Sequence, residues 1–218
     1  MAGEAKSKAR AAAPRASARE LLIDAAGAVM SEAQTIDVPL TDIAARADVN
    51  VALVSYYFGG KDGLLLALAK RDAKTALGEL DRLLSLNIGP AEKLRRHLGG
   101  VIKTFFRYPY LYRLLAALMR DGTAENAREI AQFFAEPLAK TAKELMEAGI
   151  ADGSIRKFEP GLFYMAALGA CEQIFANRTI LKVVHGIEDI DEDLQRRYAN
   201  VVLEMLTRGY LTDPETRD

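Results

Sequence analysis

Between positions 41 and 61 the chain gathers amide, hydroxyl and cationic donors: Thr41, Arg46, Asn50, Ser55, Tyr56, Tyr57 and Lys61. Such groups give hydrogen bonds and charge to oxygen acceptors, the chemistry of holding phosphates and base edges rather than of breaking bonds. Side chains suited to covalent or metal chemistry are sparse, since Cys171 is the one cysteine and His97 and His185 are the two histidines. A single cysteine excludes an intramolecular disulfide framework and every multi-cysteine zinc or iron–sulfur scheme, and it suits a reducing compartment. The chain also lacks a Gly-x-Gly-x-x-Gly turn, a Walker loop, a Gly-x-Ser-x-Gly elbow and a His-Glu-x-x-His pair. No enzyme activity, cofactor or metal site is therefore expected; Cys171 reads as packing unless the fold sets His97 or His185 beside it.

An isolated Arg or Lys is ordinarily solvated surface, so the elements around these donors decide what they do. With 218 residues, half of them apolar, the chain has ample core for one or two compact domains. The 29 Lys and Arg against 30 Asp and Glu leave a net charge of −1, so a polyanion-binding surface must be local. No uncharged apolar run reaches the ~18–20 residues of a membrane span; the longest, 161–171, is bounded by Glu159 and Glu172.

From Arg19, the apolar residues Leu21, Leu22, Ala25, Ala26, Val29 and Met30 recur at helical steps and predict an amphipathic helix. The stretch 31–40, with Gln34, Thr35, Asp37 and Pro39, reads as a connection. In a short second helix Thr41 is placed to accept from first-turn N–H groups, Asp42 favours the helix dipole, and Ile43, Ala44 and Ala47 give the buried stripe. Asp48 and Val49 break that pattern, and Asn50 is a second N-cap opening a helix over 51–57 that Phe58-Gly59-Gly60 ends. Two short helices across a tight turn make a helix-turn-helix, with Ala44 at the crossing and Val49, Val54 and Phe58 packed inside. On spacing alone, a helical hairpin within a larger all-α domain is the alternative.

Positions 19–65 resemble the N-terminal domain of TetR-family transcriptional repressors. The stretches RELLIDAAGAVM and PLTDIAARADVNVALVSYYFGGKDGLL carry the likeness, with Thr41, Ile43, Ala44, Ala47, Val49, Phe58, Lys61 and Leu64 at the family's spacing without a gap. The tail VNVALVSYYFGGKDGLL is most similar to the branch whose recognition helix ends in an Asn-Tyr-His-Phe-Gly type of sequence. Asp48 stands where the family usually has Gly, and Asp tolerates the left-handed conformation. Ser55 stands where the family most often has a phosphate-binding Tyr, a shorter contact whose role Tyr56 and Tyr57 can share.

The resemblance implies that the second helix of the motif enters the major groove while the first lies across the backbone. Asn50, Val51, Ala52 and Ser55 then face base edges: Asn can pair with adenine, and Val51 and Ala52 can meet thymine methyls, so readout is modest and partly by shape. Asn50 as a cap alone is the equal alternative. Thr41, Arg46, Tyr56, Tyr57 and Lys61 form the phosphate-positioning set, and Lys61-Asp62 opens a helix whose N-terminal N–H groups add to it. Ahead of the motif, Lys6, Lys8, Arg10, Arg15 and Arg19 stand among Ala and Ser with Glu4 the only acid. Residues 1–18 are read as a basic disordered arm that follows a minor groove or the backbone, or makes no contact. Arg15 and Arg19 interrupt the only secretory-signal segment, while a transit peptide stays compositionally open.

The head, 19–63, is followed by an expected helical body, 64–218, with helices over 64–86, 91–107, 109–120, 124–148 kinked at Pro137, 160–177 and 190–208. The connection 149–156 has a Gly-x-x-x-Gly-x-x-Arg form that resembles the loop before the dimer helices in many TetR-family members. Helix 160–177 is apolar nearly all round, with Gly161, Ala166, Ala167, Gly169 and Ala170 permitting close approach, and helix 190–208 carries Leu194, Tyr198, Val201, Val202, Met205 and Leu206. This hairpin is expected to pair with its symmetry mate in a four-helix homodimer interface; an intramolecular core is the alternative. Phe105, Tyr108, Tyr112, Phe133, Phe134 and Met165 supply apolar and aromatic surface for an effector pocket, with His97, Arg113 and Cys171 as polar anchors.

The expected molecule is thus all-α, with an N-terminal three-helix helix-turn-helix domain and a larger C-terminal helical ligand-binding and dimerisation domain. It is expected to be a cytoplasmic homodimer without a membrane partner, a repressor on a near-palindromic double-stranded DNA operator. A small hydrophobic or aromatic effector of unknown identity would release it. The alternative is a DNA-binding adaptor whose body holds a protein partner instead.

Overall fold

Residues 17–210 are described by a computed structural model; among them eleven α-helices and one π turn account for the regular structure, with no strand. Of the basic arm, Lys6, Lys8, Arg10 and Arg15 lie outside the described residues. Helix α1 (Ala18–Ala33) opens on a reciprocal cap: Ser17 Oγ accepts from the Glu20 N–H at 3.3 Å, and the Glu20 carboxylate accepts from the Ser17 N–H at 2.8 Å. Arg19 therefore belongs to α1 rather than to the arm, and its guanidinium lies 5.2 Å from the centre of the Phe58 ring.

Helices α2 (Leu40–Arg46) and α3 (Ala52–Phe58) are the two short helices of the motif. Asp48 adopts φ +53° in the turn between them, the left-handed conformation its short polar side chain tolerates. Leu22, Ile43, Val54, Leu64 and Leu68 are fully buried where α1, α2, α3 and α4 (Lys61–Leu84) meet, each contributing about 1.5–3 kcal/mol by leaving water. The chain reverses from α3 into α4 so tightly that a Cβ on Gly63 would lie 1.8 Å from the Phe58 carbonyl oxygen, which makes this glycine obligatory.

Helix α4 packs on α1 and α3 at one end and on α5 (Pro90–Arg107) and α6 (Leu111–Arg120) at the other, so one apolar core runs from head to body. A polar knot sits where these elements cross. Asp72 of α4 is wholly buried and accepts from the Tyr110 hydroxyl at 2.7 Å and from Arg71 at 2.8 Å, while Arg71 also reaches Asp24 of α1 at 2.6 Å. Burial outweighs these partners and holds the Asp72 carboxyl above its usual range.

The rest of the body departs from the sequence reading in three of its segments. The expected helix over 124–148 is divided into α7 (Ala124–Ile130), a π turn (Ala131–Ala135) and α8 (Glu136–Ala151). Pro137 has no N–H to give to the preceding turn and its ring crowds the carbonyl four residues back, so the helix widens just before it. Between α9 (Pro160–Ala176) and α11 (Glu192–Tyr210) the chain forms a further helix, α10 (Arg178–His185), that the sequence reading left as connection. Its apolar residues Ile180, Leu181, Val183 and Val184 recur at helical steps, a signal within only eight residues, and the fold leaves Ile180, Val183 and Val184 exposed. The expected connection 149–156 begins later than its glycine suggests: α8 runs to Ala151, and Gly149 makes room for the Ile155 side chain, 2.5 Å from where a Cβ would stand.

Candidate nucleic-acid interface and cavity

Helix α3 buries one side chain fully, Val54, and turns Val51, Ala52, Ser55, Tyr56 and Tyr57 outward. Tyr56 is 78% exposed and its ring meets that of Tyr57 edge to face, with centroids 4.9 Å apart, on the outer side of the helix. Asn50 does not hold the α3 cap position, which falls to Val51; its Oδ1 accepts from the Ala52 N–H at 2.8 Å in the turn just ahead of the helix, and the exposed amide nitrogen can still meet a base.

Thr41 does not cap α2. Pro39 occupies the cap position, Thr41 lies inside the helix, and its hydroxyl donates to Asp42 Oδ1 at 3.3 Å. Its side chain is exposed on the same end of the molecule as Lys61, whose Nζ is 3.4 Å from Asp37 Oδ1, an open surface pair. Arg46 is committed more firmly: its guanidinium donates twice to Glu32 of α1, at 3.0 and 2.8 Å, and these bonds raise its pKa further. A phosphate would have to exchange with Glu32 to engage it, a low barrier because exposed pairs contribute little.

Below the head, α4, α5, α6, the π turn, α8 and α9 line a cavity of about 580 Å³ that opens to solvent at Met119 and Met165. Phe105, Tyr112, Phe134 and Met165 line it; Tyr108 and Phe133 do not. Tyr108 falls at the C-cap of α5, where φ −123° and ψ 75° turn its ring toward Tyr110 and Arg107. Phe133 is the neighbour of Phe134 in the π turn, and one step of helical rotation carries it off the cavity face. Of the three polar anchors only His97 reaches the cavity. Arg113 instead donates to the Gln34 carbonyl at 2.7 Å, tying α6 to the end of α1, and Cys171 is buried against the Leu98 carbonyl with its thiol pushed up to about 12 by burial.

Sequence reasoning missed Tyr164, Leu168 and Glu172, which line the cavity from α9 beside Met165. Their helical spacing with Met165 was the available signal. His97 Nε2 lies 2.9 Å from the Tyr164 hydroxyl, with the two rings stacked. Burial depresses His97 to about 4, so the imidazole is neutral near pH 7.

The model of bacterial regulatory proteins of the tetR family matches residues 22–68, and that of the tetracyclin repressor-like C-terminal domain matches residues 87–215. The HTH-type transcriptional regulator BetI of Brucella anthropi is 30% identical over 165 residues, covering 70% of this chain and 82% of the relative. Among solved structures, a TetR/AcrR-family transcriptional regulator from Thermobifida fusca shares the fold with a TM-score of 0.67 at 19% identity, over 89% of this chain and 98% of that one. The Bacillus subtilis regulator FadR, solved in complex with stearoyl-CoA, gives a TM-score of 0.66 at 19% identity, over 87% of this chain and 98% of its own. The two family models together span the helix-turn-helix and the cavity-bearing body, and this chain belongs to the TetR family of DNA-binding transcriptional regulators, not of enzymes.

Proposed function

We propose that this regulator is a repressor that grips a near-palindromic operator as a homodimer and releases it when a small hydrophobic or aromatic molecule fills the cavity. The observation that carries this reading is α4, one helix of 24 residues that begins at Lys61 beside the outer ridge of α3 and carries Ala76, Glu79, Leu80 and Leu83 to the cavity wall. A ligand that fits only when α4 is displaced lowers DNA affinity by linkage, because the operator and the ligand then select different placements of the same helix. In this reading the head spans 19–63 and the body 64–218, a division that falls within the first turn of α4.

In this reading Asn50, Val51, Ala52 and Ser55 face base edges, and Thr41, Arg46, Tyr56, Tyr57 and Lys61 hold phosphates. The homodimer forms across α9 and α11, where Leu162, Met165, Val201 and Met205 are all more than half exposed in the single chain. Two-fold pairing sets the recognition helices about 34–36 Å or another helical multiple apart. The likeness to FadR, whose structure holds stearoyl-CoA, supports an apolar component in the ligand. No described helix is long and apolar enough to cross a membrane, and the cytoplasm is the compartment we propose.

Retention of fragmented genomic DNA on the purified protein, sequenced at two salt concentrations, tests this. A few near-palindromic sites that persist at the higher salt are expected. Retention of all fragments at low salt and none at high salt would leave only non-specific phosphate binding and overturn the operator reading.

A further inference from the structure

One charge inside the cavity has nothing to answer it. Met165, Leu168 and Glu172 follow one another along the cavity-lining stripe of α9, and Glu172 is half-buried there with no ion pair or hydrogen bond to another described residue. Burial raises its carboxyl above the ordinary range, and no nearby cation pulls it back. A desolvated carboxylate without a partner is costly, which is why such groups are normally paired or functional.

The other ionisable groups around the cavity do not compensate it. Arg96 is bound to Glu92 at 2.7 Å, Glu79 is bound to Arg107 at 2.8 Å, and Lys103 stands exposed at the rim. His97 contributes no charge near pH 7, being neutral by burial. The remaining wall is apolar and aromatic, with Phe105, Tyr112, Phe134 and Tyr164 presenting rings whose faces attract cations. An anionic ligand would meet Lys103 only where solvent screens the attraction, and would face Glu172 inside.

We propose that the cavity takes an apolar amine, whose ammonium group is held by Glu172 and whose hydrocarbon or aromatic part lies among Leu115, Leu168 and the aromatic rings. The proposal deepens the effector reading above and rests on it. A volume of about 580 Å³ falls in the range of pockets that enclose small organic ligands. Glu172 is then the specificity residue: it supplies the counter-charge, and the rings supply both contact area and a favourable quadrupole for the cation.

Three probes of one length separate the terms: 4-phenylbutan-1-amine, 4-phenylbutan-1-ol and 4-phenylbutanoate, titrated calorimetrically into the full chain and its Glu172→Gln variant. The amine is expected to bind the unaltered protein about tenfold tighter than the alcohol, and the carboxylate most weakly. Glu172→Gln is expected to abolish the amine's advantage while leaving the alcohol within about threefold of its original affinity. An alcohol or carboxylate that binds the unaltered protein as tightly as the amine overturns the proposal yet keeps the cavity as a small-molecule site. The same holds if Glu172→Gln weakens amine and alcohol equally. Failure of all three to bind overturns both, and the ranking on the unaltered protein needs no variant to fold.

Discussion

At the scale of single residues, Asn50 holds two roles that one substitution separates. Its Oδ1 accepts from the Ala52 N–H in the turn just ahead of α3, and a serine there keeps an acceptor but cannot pair bidentate with adenine. Asn50→Ser is expected to leave the melting temperature nearly unchanged and to cost about 1–3 kcal/mol of specific operator affinity in a filter-binding titration. Unchanged affinity would leave Asn50 with the local turn bond alone. His97 is the second residue whose state has a measurable consequence. Its pKa falls from 6.5 to about 4 on folding, so between those values the unfolded chain binds the extra proton. Stability is therefore full above pH 6.5 and declines as the pH falls toward 4, by about 3 kcal/mol from this group. Urea denaturation across that window is expected to show the slope in the unaltered protein and to lack this share of it in His97→Gln.

At the scale of elements, α4 and α6 are joined by the buried knot rather than by apolar packing alone. The Tyr110 hydroxyl is a donor to an Asp72 carboxylate from which solvent is excluded. Tyr110→Phe leaves that oxygen without its partner, and a loss of about 1–3 kcal/mol in chemical denaturation is expected; a loss below that range would mean that Arg71 alone satisfies Asp72. The same knot involves α1 through Asp24, and Arg113 fastens α6 to the Gln34 carbonyl, so a shift of the α6 wall at Tyr112 or Leu115 acts on the head through short, polar contacts. The elements themselves were largely legible. The glycines after α3 act within a few residues, and a periodic apolar stripe identifies a helix without knowledge of its partner; the caps were less legible, for Pro39 and Val51 hold the positions assigned to Thr41 and Asn50, and the Ser17 cap went unread. The π turn was not legible, because it arises from a clash within an otherwise regular pattern; α10 did carry a signal, Ile180, Leu181, Val183 and Val184 at helical steps, within only eight residues.

At the scale of the whole molecule, the single chain leaves apolar side chains of α9 and α11 in water. Leu162, Met165, Val201 and Met205 are too exposed to contribute to its own core, and exposed apolar faces of this kind mark interaction surfaces. The pair of substitutions Val201→Glu and Met205→Glu is expected to give a folded monomer by analytical ultracentrifugation, with a circular-dichroism spectrum like that of the unaltered chain. Operator affinity is then expected to fall by orders of magnitude, since each half-site is held alone. A variant that stays dimeric would place the interface elsewhere.

The all-α class, the helix-turn-helix with its left-handed Asp48, and the family could all be read from the residues alone, because periodicity and turn chemistry act over short spans. Phe105, Tyr112 and Phe134 were also named from the sequence and line the cavity, as does Met165, which at 71% exposure stands at its open side. Only the tertiary structure decided that Tyr108 and Phe133 turn away, that Arg46 is engaged by Glu32 and Arg113 by the Gln34 carbonyl, and that Glu172 faces the cavity without a cation. Which side of a helix looks into a shared space, and which charge finds a partner, depend on elements brought together from distant parts of the chain, and no local pattern records that meeting.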